Sequence, residues 1–133
     1  MRSNPLAPAI LLIEKDEVTL EMYERELCKS FTVFAQTDTA GVPALLASQP
    51  IQALIIEPEI DHGQGWELIR SLPTIFPSRL IPVIVCSTRE PYGSSSGRSP
   101  EAARYLTKPV LPQTLREMAL EVLGAEATRR SPL

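Results

Sequence analysis

The chain has 133 residues, 44% of them apolar, and a formal net charge of −3 at pH 7. This length fits one domain, the apolar content excludes disorder throughout, and the acidic balance argues against nucleic acid as a partner. No apolar run approaches the roughly 20 residues that span a bilayer, and the N-terminus lacks an apolar signal core, so we expect a cytoplasmic protein without a membrane partner.

Residues 1–8 contain two prolines and no periodicity, which predicts a flexible lead-in to a single domain at 9–123. Five short apolar or β-branched runs inside that domain predict strands, and amphipathic stretches between them predict helices. The predicted strands are 9–13, 31–35, 52–57, 81–86 and 104–107, and the predicted helices are 17–29, 39–48, 65–72 and 112–123.

Local signals set the predicted ends of these helices. Asp16 is an expected N-cap of the first helix, and Pro43 is tolerable in the second because it falls in the first turn. Pro73 is expected to stop the third helix. Gly124 is expected to end the last one, which leaves 124–133 as a flexible tail.

The segment between the fourth and fifth strands has an unusual composition. Residues 89–100 contain two prolines, two glycines and four serines, with no apolar residue recurring at helical spacing. Proline costs about 3 kcal/mol inside a helix and glycine about 1 kcal/mol. We therefore expect a mobile loop, with at most one helical turn near 100–103.

Alternation of strands and helices predicts an α/β fold with a parallel sheet covered on both faces. For a domain of this size, the common arrangement is a flavodoxin-like sheet with the strand order 2-1-3-4-5. Here the helix between the fourth and fifth strands is predicted to be degenerate or missing.

Polar side chains follow four of the predicted strands. Glu14, Glu57, Ser87 and Lys108 come directly after apolar runs or at their ends. Because the carboxyl ends of parallel strands meet at one edge of a sheet, we expect these four to lie together, where open α/β sheets place their sites. Cysteine is sparse, and the expected state of both thiols is reduced.

Four segments of the sequence resemble the receiver domains of bacterial response regulators. They are ILLIEKDE at 10–17, LIIEPEIDHGQGWEL at 54–68, PVIVCST at 82–88 and YLTKP at 105–109. The resemblance spans about residues 9–123 and implies a two-component signalling or phosphorelay function. In that family a strand-end aspartate accepts a phosphoryl group from a histidine kinase, and an acidic pair binds Mg²⁺ beside it.

The resemblance implies a role for individual positions of this chain. Glu57 stands at the phosphoacceptor position, and the acidic pair is replaced by Glu14 and Lys15. Ser87 and Lys108 stand where the family contacts the phosphoryl oxygens. A further position, Tyr105, matches the family's aromatic switch.

Two of these positions depart from the family pattern. The extra methylene of Glu57 moves its carboxylate outward by about 1.5 Å, and misplacement by about 1 Å can cost a hundredfold in rate. An ammonium at Lys15 neither ligates nor attracts Mg²⁺, which prefers oxygen ligands. We expect the Lys15 ammonium to occupy the room of the metal and to pair with Glu14 or Glu57.

The sequence favours a phosphorylation-independent interaction module of the receiver type, an atypical receiver that lacks the phosphoacceptor aspartate and is not an enzyme. Its expected partners are other signalling proteins or a second copy of the chain, with no cofactor and no metal. One alternative is a receiver that is still phosphorylated on Glu57 by a histidine kinase in a Mg²⁺-dependent reaction. Another is an unrelated flavodoxin-like cofactor binder, disfavoured because no phosphate-cradling loop is present.

Overall fold

The computed structural model describes residues 6–89 and 102–130. Its five parallel strands form one sheet in the order β2-β1-β3-β4-β5, which confirms the predicted topology and fold class. The elements are β1 (Ala9–Ile13), α1 (Glu17–Leu27), β2 (Thr32–Gln36), α2 (Val42–Ser48), β3 (Ile51–Ile56), α3 (Ile60–Ile75), β4 (Val83–Ser87), β5 (Ala102–Thr107) and α4 (Pro112–Arg130). Among the described residues, no helix is long and apolar enough to cross a membrane.

Two apolar layers cover the sheet because side chains alternate between the faces of a strand. Leu11 and Leu54 pack with residues of α2 and α3 on one face. Ile10 and Ile55 pack with residues of α1 and α4 on the other. Every residue of β1 and β4 is buried, as continuous apolar runs in the middle of a parallel sheet require.

The observed strands agree with the predicted ones to within two residues at each end, whereas α2 starts later than expected. The prediction began the second helix at Thr39, but α2 begins at Val42, after Gly41 with φ of 70°. The Gln36 amide donates to the carbonyls of Asp38 and Ala40 and holds the preceding residues in a turn. Those residues are therefore unavailable to the helix.

Two predicted helix stops are wrong. Pro73 lies inside α3, which runs to Ile75, and Phe76 closes the last turn by donating its N–H to Leu72 O at 2.8 Å. A proline this close to the end removes little of the helix's hydrogen bonding. Likewise, α4 passes Gly124 and continues to Arg130 through a sequence rich in strong helix formers, which offset the cost of one glycine.

The start of α3 is irregular. Asp61, His62 and Gly63 have positive φ values of 49°, 57° and 90°, so the regular helix follows Gly63, close to the predicted start. Gly65 then passes so near the preceding loop that an added Cβ would lie 2.7 Å from the Pro58 backbone. This close approach fixes the distance between the end of β3 and the body of α3.

The predicted loop at 89–100 lies almost entirely outside the described residues, which resume at 102. At most one helical turn was expected near 100–103, and the structure places Ala102 and Ala103 in β5. No helix lies between β4 and β5 among the residues that the structure describes.

Arg79 ties together the loops at the amino-terminal edge of the sheet. Its guanidinium donates to the carbonyls of Leu46, Gln49 and Ile51, with distances of 3.3 Å for Gln49 and 2.6 Å for Ile51. These carbonyls belong to the end of α2 and the start of β3. A single side chain from the connection between α3 and β4 therefore donates to three carbonyls around the connection between α2 and β3.

Candidate functional site

Backbone hydrogen bonds extend the sheet by one residue beyond three of its strands. Glu14 N–H donates to Gln36 O at 3.1 Å, and Glu57 N–H donates to Ile13 O at 3.0 Å. On the other side, Lys108 N–H donates to Ser87 O at 2.7 Å. The backbones of Glu14, Glu57 and Lys108 are thus held in strand register, which fixes the positions of their Cα atoms at the carboxyl edge.

Lys108 bridges the two carboxylates at this edge. Its Nζ donates to Glu14 Oε1 in a short contact and to Glu57 Oε1 at 3.3 Å. The side chains of Lys108, Glu14 and Glu57 are 15%, 4% and 9% exposed, so the three charges are largely shielded from water. Burial lowers the pKa of Lys108, but hydrogen bonding and attraction from Glu14 and then Glu57 outweigh it and leave that pKa above its ordinary value. The lysine is therefore a stable cation.

The remaining oxygen of each carboxylate accepts a backbone N–H two residues further on. Asp16 N–H donates to Glu14 Oε2 at 3.1 Å, and Glu59 N–H donates to Glu57 Oε2 at 3.0 Å. All four carboxylate oxygens are consequently engaged. No buried side-chain oxygen or nitrogen in the described part of the chain lacks a hydrogen-bond partner.

The expected pairing of Lys15 with Glu14 or Glu57 is wrong. Lys15 is exposed and forms no ion pair with any residue in the described ranges. Glu14 continues β1 and is buried, so the next side chain points the other way, as alternation along an extended chain requires. The cation beside the carboxylates comes from Lys108 at the end of β5.

Asp16 is the helix cap that the sequence predicted. Its Oδ2 accepts the N–H of Thr19 at 2.9 Å, and the hydrogen bonds from the Thr19 side chain and backbone lower the pKa of Asp16. Its carboxylate therefore caps the N-terminus of α1.

Ser87 and Tyr105 meet through the backbone of Arg89. Ser87 is fully buried, and its Oγ accepts the N–H of Arg89 at 3.0 Å. The Tyr105 hydroxyl donates to Arg89 O at 3.2 Å. Ser87 and Tyr105 thus contact the N–H and the C=O of the same residue.

Sequence reasoning missed the roles of Trp66 and Glu59. The Trp66 indole N–H donates to Glu59 Oε2 at 3.2 Å, and its ring stacks on Tyr105 with centroids 6.4 Å apart and planes 23° apart. Trp66 belongs to α3 and Tyr105 to β5, and the two residues are 39 positions apart in the chain. Only the tertiary fold brings these rings together.

The residues at this edge do not fit Mg²⁺. Mg²⁺ takes octahedral oxygen coordination and is usually held by one or two carboxylates together with several waters, so it needs carboxylate oxygens without a competing cation. Here Lys108 contacts both carboxylates, and the position after Glu14 carries an ammonium. Within residues 6–89 and 102–130, no group of three His, Cys, Asp or Glu side chains is arranged to hold a metal ion.

Comparison with solved structures identifies many chains of this architecture. A CheY-like response regulator receiver domain protein from Methanospirillum hungatei is similar with a TM-score of 0.80 and 18% identity, over 92% of this chain and 98% of that one. A sensor protein from Polaromonas gives a TM-score of 0.77 and 21% identity, over 89% and 97%. A response regulator receiver protein from Sinorhizobium medicae gives 0.76 and 22%, over 92% and 98%. No protein-family model and no curated protein matches the sequence.

Proposed function

We propose that this chain is a signalling module of the receiver type that acts by binding other proteins and does not depend on phosphorylation. The receiver-like fold and the response regulator receivers among its structural neighbours support the general role. A fold alone does not specify an activity, so the finer proposal rests on the chemistry of the carboxyl edge.

One observation carries the proposal: the carboxylate at the phosphoacceptor position is occupied on both oxygens. Glu57 Oε1 accepts from Lys108 and Glu57 Oε2 accepts from the backbone of Glu59. An attacking oxygen of Glu57 would have to leave one of these partners, and Glu57 is only 7% exposed, so water cannot readily replace it. Breaking a charged hydrogen bond and leaving its partners unpaired costs about 1.5–3 kcal/mol before any bond forms to phosphorus.

The charges support the same conclusion. Lys108 offsets one of the two negative charges of Glu14 and Glu57, and the exposed Lys15 places a second cation at the same edge. These two cations weaken the negative potential that would draw a divalent cation to the site. Signalling would then depend on a surface that is present without chemical activation, and the module would not be an enzyme.

Intact-mass spectrometry after incubation with acetyl phosphate and Mg²⁺ tests the proposal. The parent chain should gain no phosphoryl group. The variant Lys15→Asp/Glu57→Asp restores the carboxylates of the family pattern while keeping Ser87 and Lys108, and serves as the positive control. A phosphoryl adduct on the parent that is absent from Glu57→Gln would instead support phosphorylation on Glu57 and defeat the proposal.

A further inference from the structure

We propose that the amino-terminal edge of the sheet, at the end opposite the carboxylates, is a docking surface for a segment of another protein that combines aliphatic side chains with a carboxylate. Two cavities of about 580 and 260 Å³ lie at this edge. Residues 47–52 line the larger cavity, residues from the segment 72–81 line the smaller one, and Arg79 and Leu80 line both. We call these two segments together the amino-edge groove.

The exposed residues of the amino-edge groove carry no charge. They are alanine, serine, threonine, glutamine, proline, isoleucine and leucine residues. The chain as a whole is 22% charged, and charged residues normally lie on the exposed surface. Depletion of charge is instead typical of the centre of a protein–protein interface. The composition of this surface therefore favours contact with another protein.

Leu80 is the apolar anchor of the groove. It lines both cavities, and 58% of it is exposed. Ile75, in the last turn of α3, is 42% exposed. Pro50, Pro73 and Pro77 fix the backbone φ angle at three further exposed positions. A surface that is already rigid loses little conformational entropy when an aliphatic partner packs against it.

Arg79 gives the groove a positive charge, and it forms no ion pair with any residue that the structure describes. Its guanidinium donates to three backbone carbonyls, and its Cζ lies 5.7 Å from the centroid of the Phe76 ring. These partners are all neutral, and the Nε–H takes no part in the three hydrogen bonds. A carboxylate from a partner would accept a charge-assisted hydrogen bond, which is about twice as strong as a neutral one.

The same charge disfavours other occupants of the groove. In a two-fold dimer the same surface meets itself, so two Arg79 cations would approach each other with no acidic residue of the groove between them. Nucleic acid requires a face with several cations, and the sequence of the groove contains only one. An acidic, aliphatic peptide segment is the partner that matches a single cation among apolar side chains.

Selection from a random peptide library displayed on phage tests this docking surface. Phage are selected on the parent chain after removal of those that bind Leu80→Asp, whose added carboxylate competes for Arg79 and interrupts the apolar surface. The enriched peptides should contain an aspartate or glutamate next to leucine, isoleucine, valine or phenylalanine. Enrichment of no peptide, or of peptides without an acidic residue, would overturn the proposal.

The affinity of an enriched peptide, measured by fluorescence anisotropy, tests where it binds. Leu80→Asp should weaken binding about tenfold or more, because a leucine side chain is lost from the interface. Leu111→Asp is the matched control, since Leu111 is 71% exposed and lies just before α4, outside the groove, and it should bind like the parent. Replacing the acidic residue of the peptide by its amide should also weaken binding about tenfold. Equal affinities of Leu80→Asp and Leu111→Asp would overturn the proposal.

Analytical ultracentrifugation tests a second copy of the chain as the occupant. A parent dimer that Leu80→Asp dissociates and Leu111→Asp retains would overturn the proposal, whereas a monomer in all three agrees with it. The docking surface rests on the proposed function, since it names where a protein-binding module binds its partner. The two fail separately: a phosphoryl adduct on the parent defeats the proposed function and leaves the peptide affinities unchanged, whereas absence of peptide binding overturns the docking surface and leaves the mass unchanged.

Discussion

Replacing Lys108 by methionine should destabilise the fold strongly at neutral pH. The substitution keeps the apolar stem but leaves Glu14 and Glu57 without their shared cation, and these residues are only 3% and 7% exposed. Removing one partner of a buried ion pair typically costs about 3–5 kcal/mol, because the charge left behind is uncompensated.

The ionisation of the two carboxylates limits this cost. A folded variant can escape the repulsion by binding a proton at the Glu14–Glu57 pair. At pH 7 that costs about 4 kcal/mol, about 1.36 kcal/mol for each of the roughly 2.7 pH units above an ordinary glutamate pKa of about 4.3. We therefore expect a loss of about 3–4 kcal/mol at pH 7.

The loss should also change with pH. Without Lys108 the folded chain must bind a proton between two buried carboxylates, which becomes harder as the proton concentration falls, so the penalty is small at acidic pH and grows as pH rises. At about pH 5 the loss should shrink to about 1 kcal/mol. The raised pKa of Lys108 in the parent does not interfere, because its stabilisation is fully present below the ordinary lysine pKa.

Urea denaturation of the parent and of Lys108→Met at both pH values measures these losses. Lys29→Met is the matched control, since Lys29 is 63% exposed and its partner Glu26 keeps a second ion pair with Arg116. It should cost less than about 1 kcal/mol at either pH. A Lys108→Met loss as small as that of the control, or one independent of pH, would refute the reasoning.

Three further substitutions probe the rest of the fold. Burial raises the pKa of Cys86 to about 12, so the free energy of unfolding should fall as pH rises from about 9 toward 12, by up to about 1.4 kcal/mol per pH unit. Cys86→Ala should make this dependence on pH less steep in denaturation curves recorded at alkaline pH. An unchanged dependence would contradict the assignment to Cys86. Arg79→Ala should lower the free energy of unfolding measured in urea by about 1–3 kcal/mol, because three carbonyls each lose one donor and only Gln49 O is known to keep another, the N–H of Ile51 at 2.8 Å. The exposed Arg70→Ala should cost less than about 0.5 kcal/mol, and equal losses would contradict this. Gly65→Ala should lower the melting temperature, because the added Cβ would lie 2.7 Å from the Pro58 backbone. Gly124→Ala, where nothing lies within 4 Å, should instead raise the free energy of unfolding by about 0.5–1 kcal/mol. A Gly65→Ala variant more stable than Gly124→Ala would contradict the close approach.

The strands and their order could be predicted because burial on both faces leaves a strong sequence signal. Runs such as 51–57 are apolar almost throughout and end abruptly in a polar residue, which sets both the strand and its carboxyl end. That signal is sufficient to predict that Glu14 and Glu57 lie at one edge of the sheet, whereas Lys108 follows a shorter run, 104–107, with less apolar character.

Local sequence could not identify which lysine meets the carboxylates. Lys15 is adjacent to Glu14 in the chain, and this adjacency suggested contact. Alternation along β1 turns the two side chains apart. Lys108, just after β5, reaches both carboxylates although it is 94 residues from Glu14 and 51 from Glu57 in the chain.

The helix ends were mispredicted for a related reason. Pro73 and Gly124 are local stop signals, but their cost is limited by position in the first case and by the following residues in the second. The contacts of Arg79 and of Trp66 with Tyr105 have no local signal, because both join segments distant in sequence.

In this account, an ammonium at position 15 and a glutamate at position 57, whose carboxylate Lys108 holds together with that of Glu14, leave the edge without a magnesium site. NMR titration with MgCl₂ tests this most directly, because the amides of Asp16 and Glu59 donate to the two carboxylates and report on them. We predict no saturable shift of these amides in the parent up to about 10 mM Mg²⁺, and a saturable shift in Lys15→Asp/Glu57→Asp. Equal, saturable shifts in parent and variant would contradict the account.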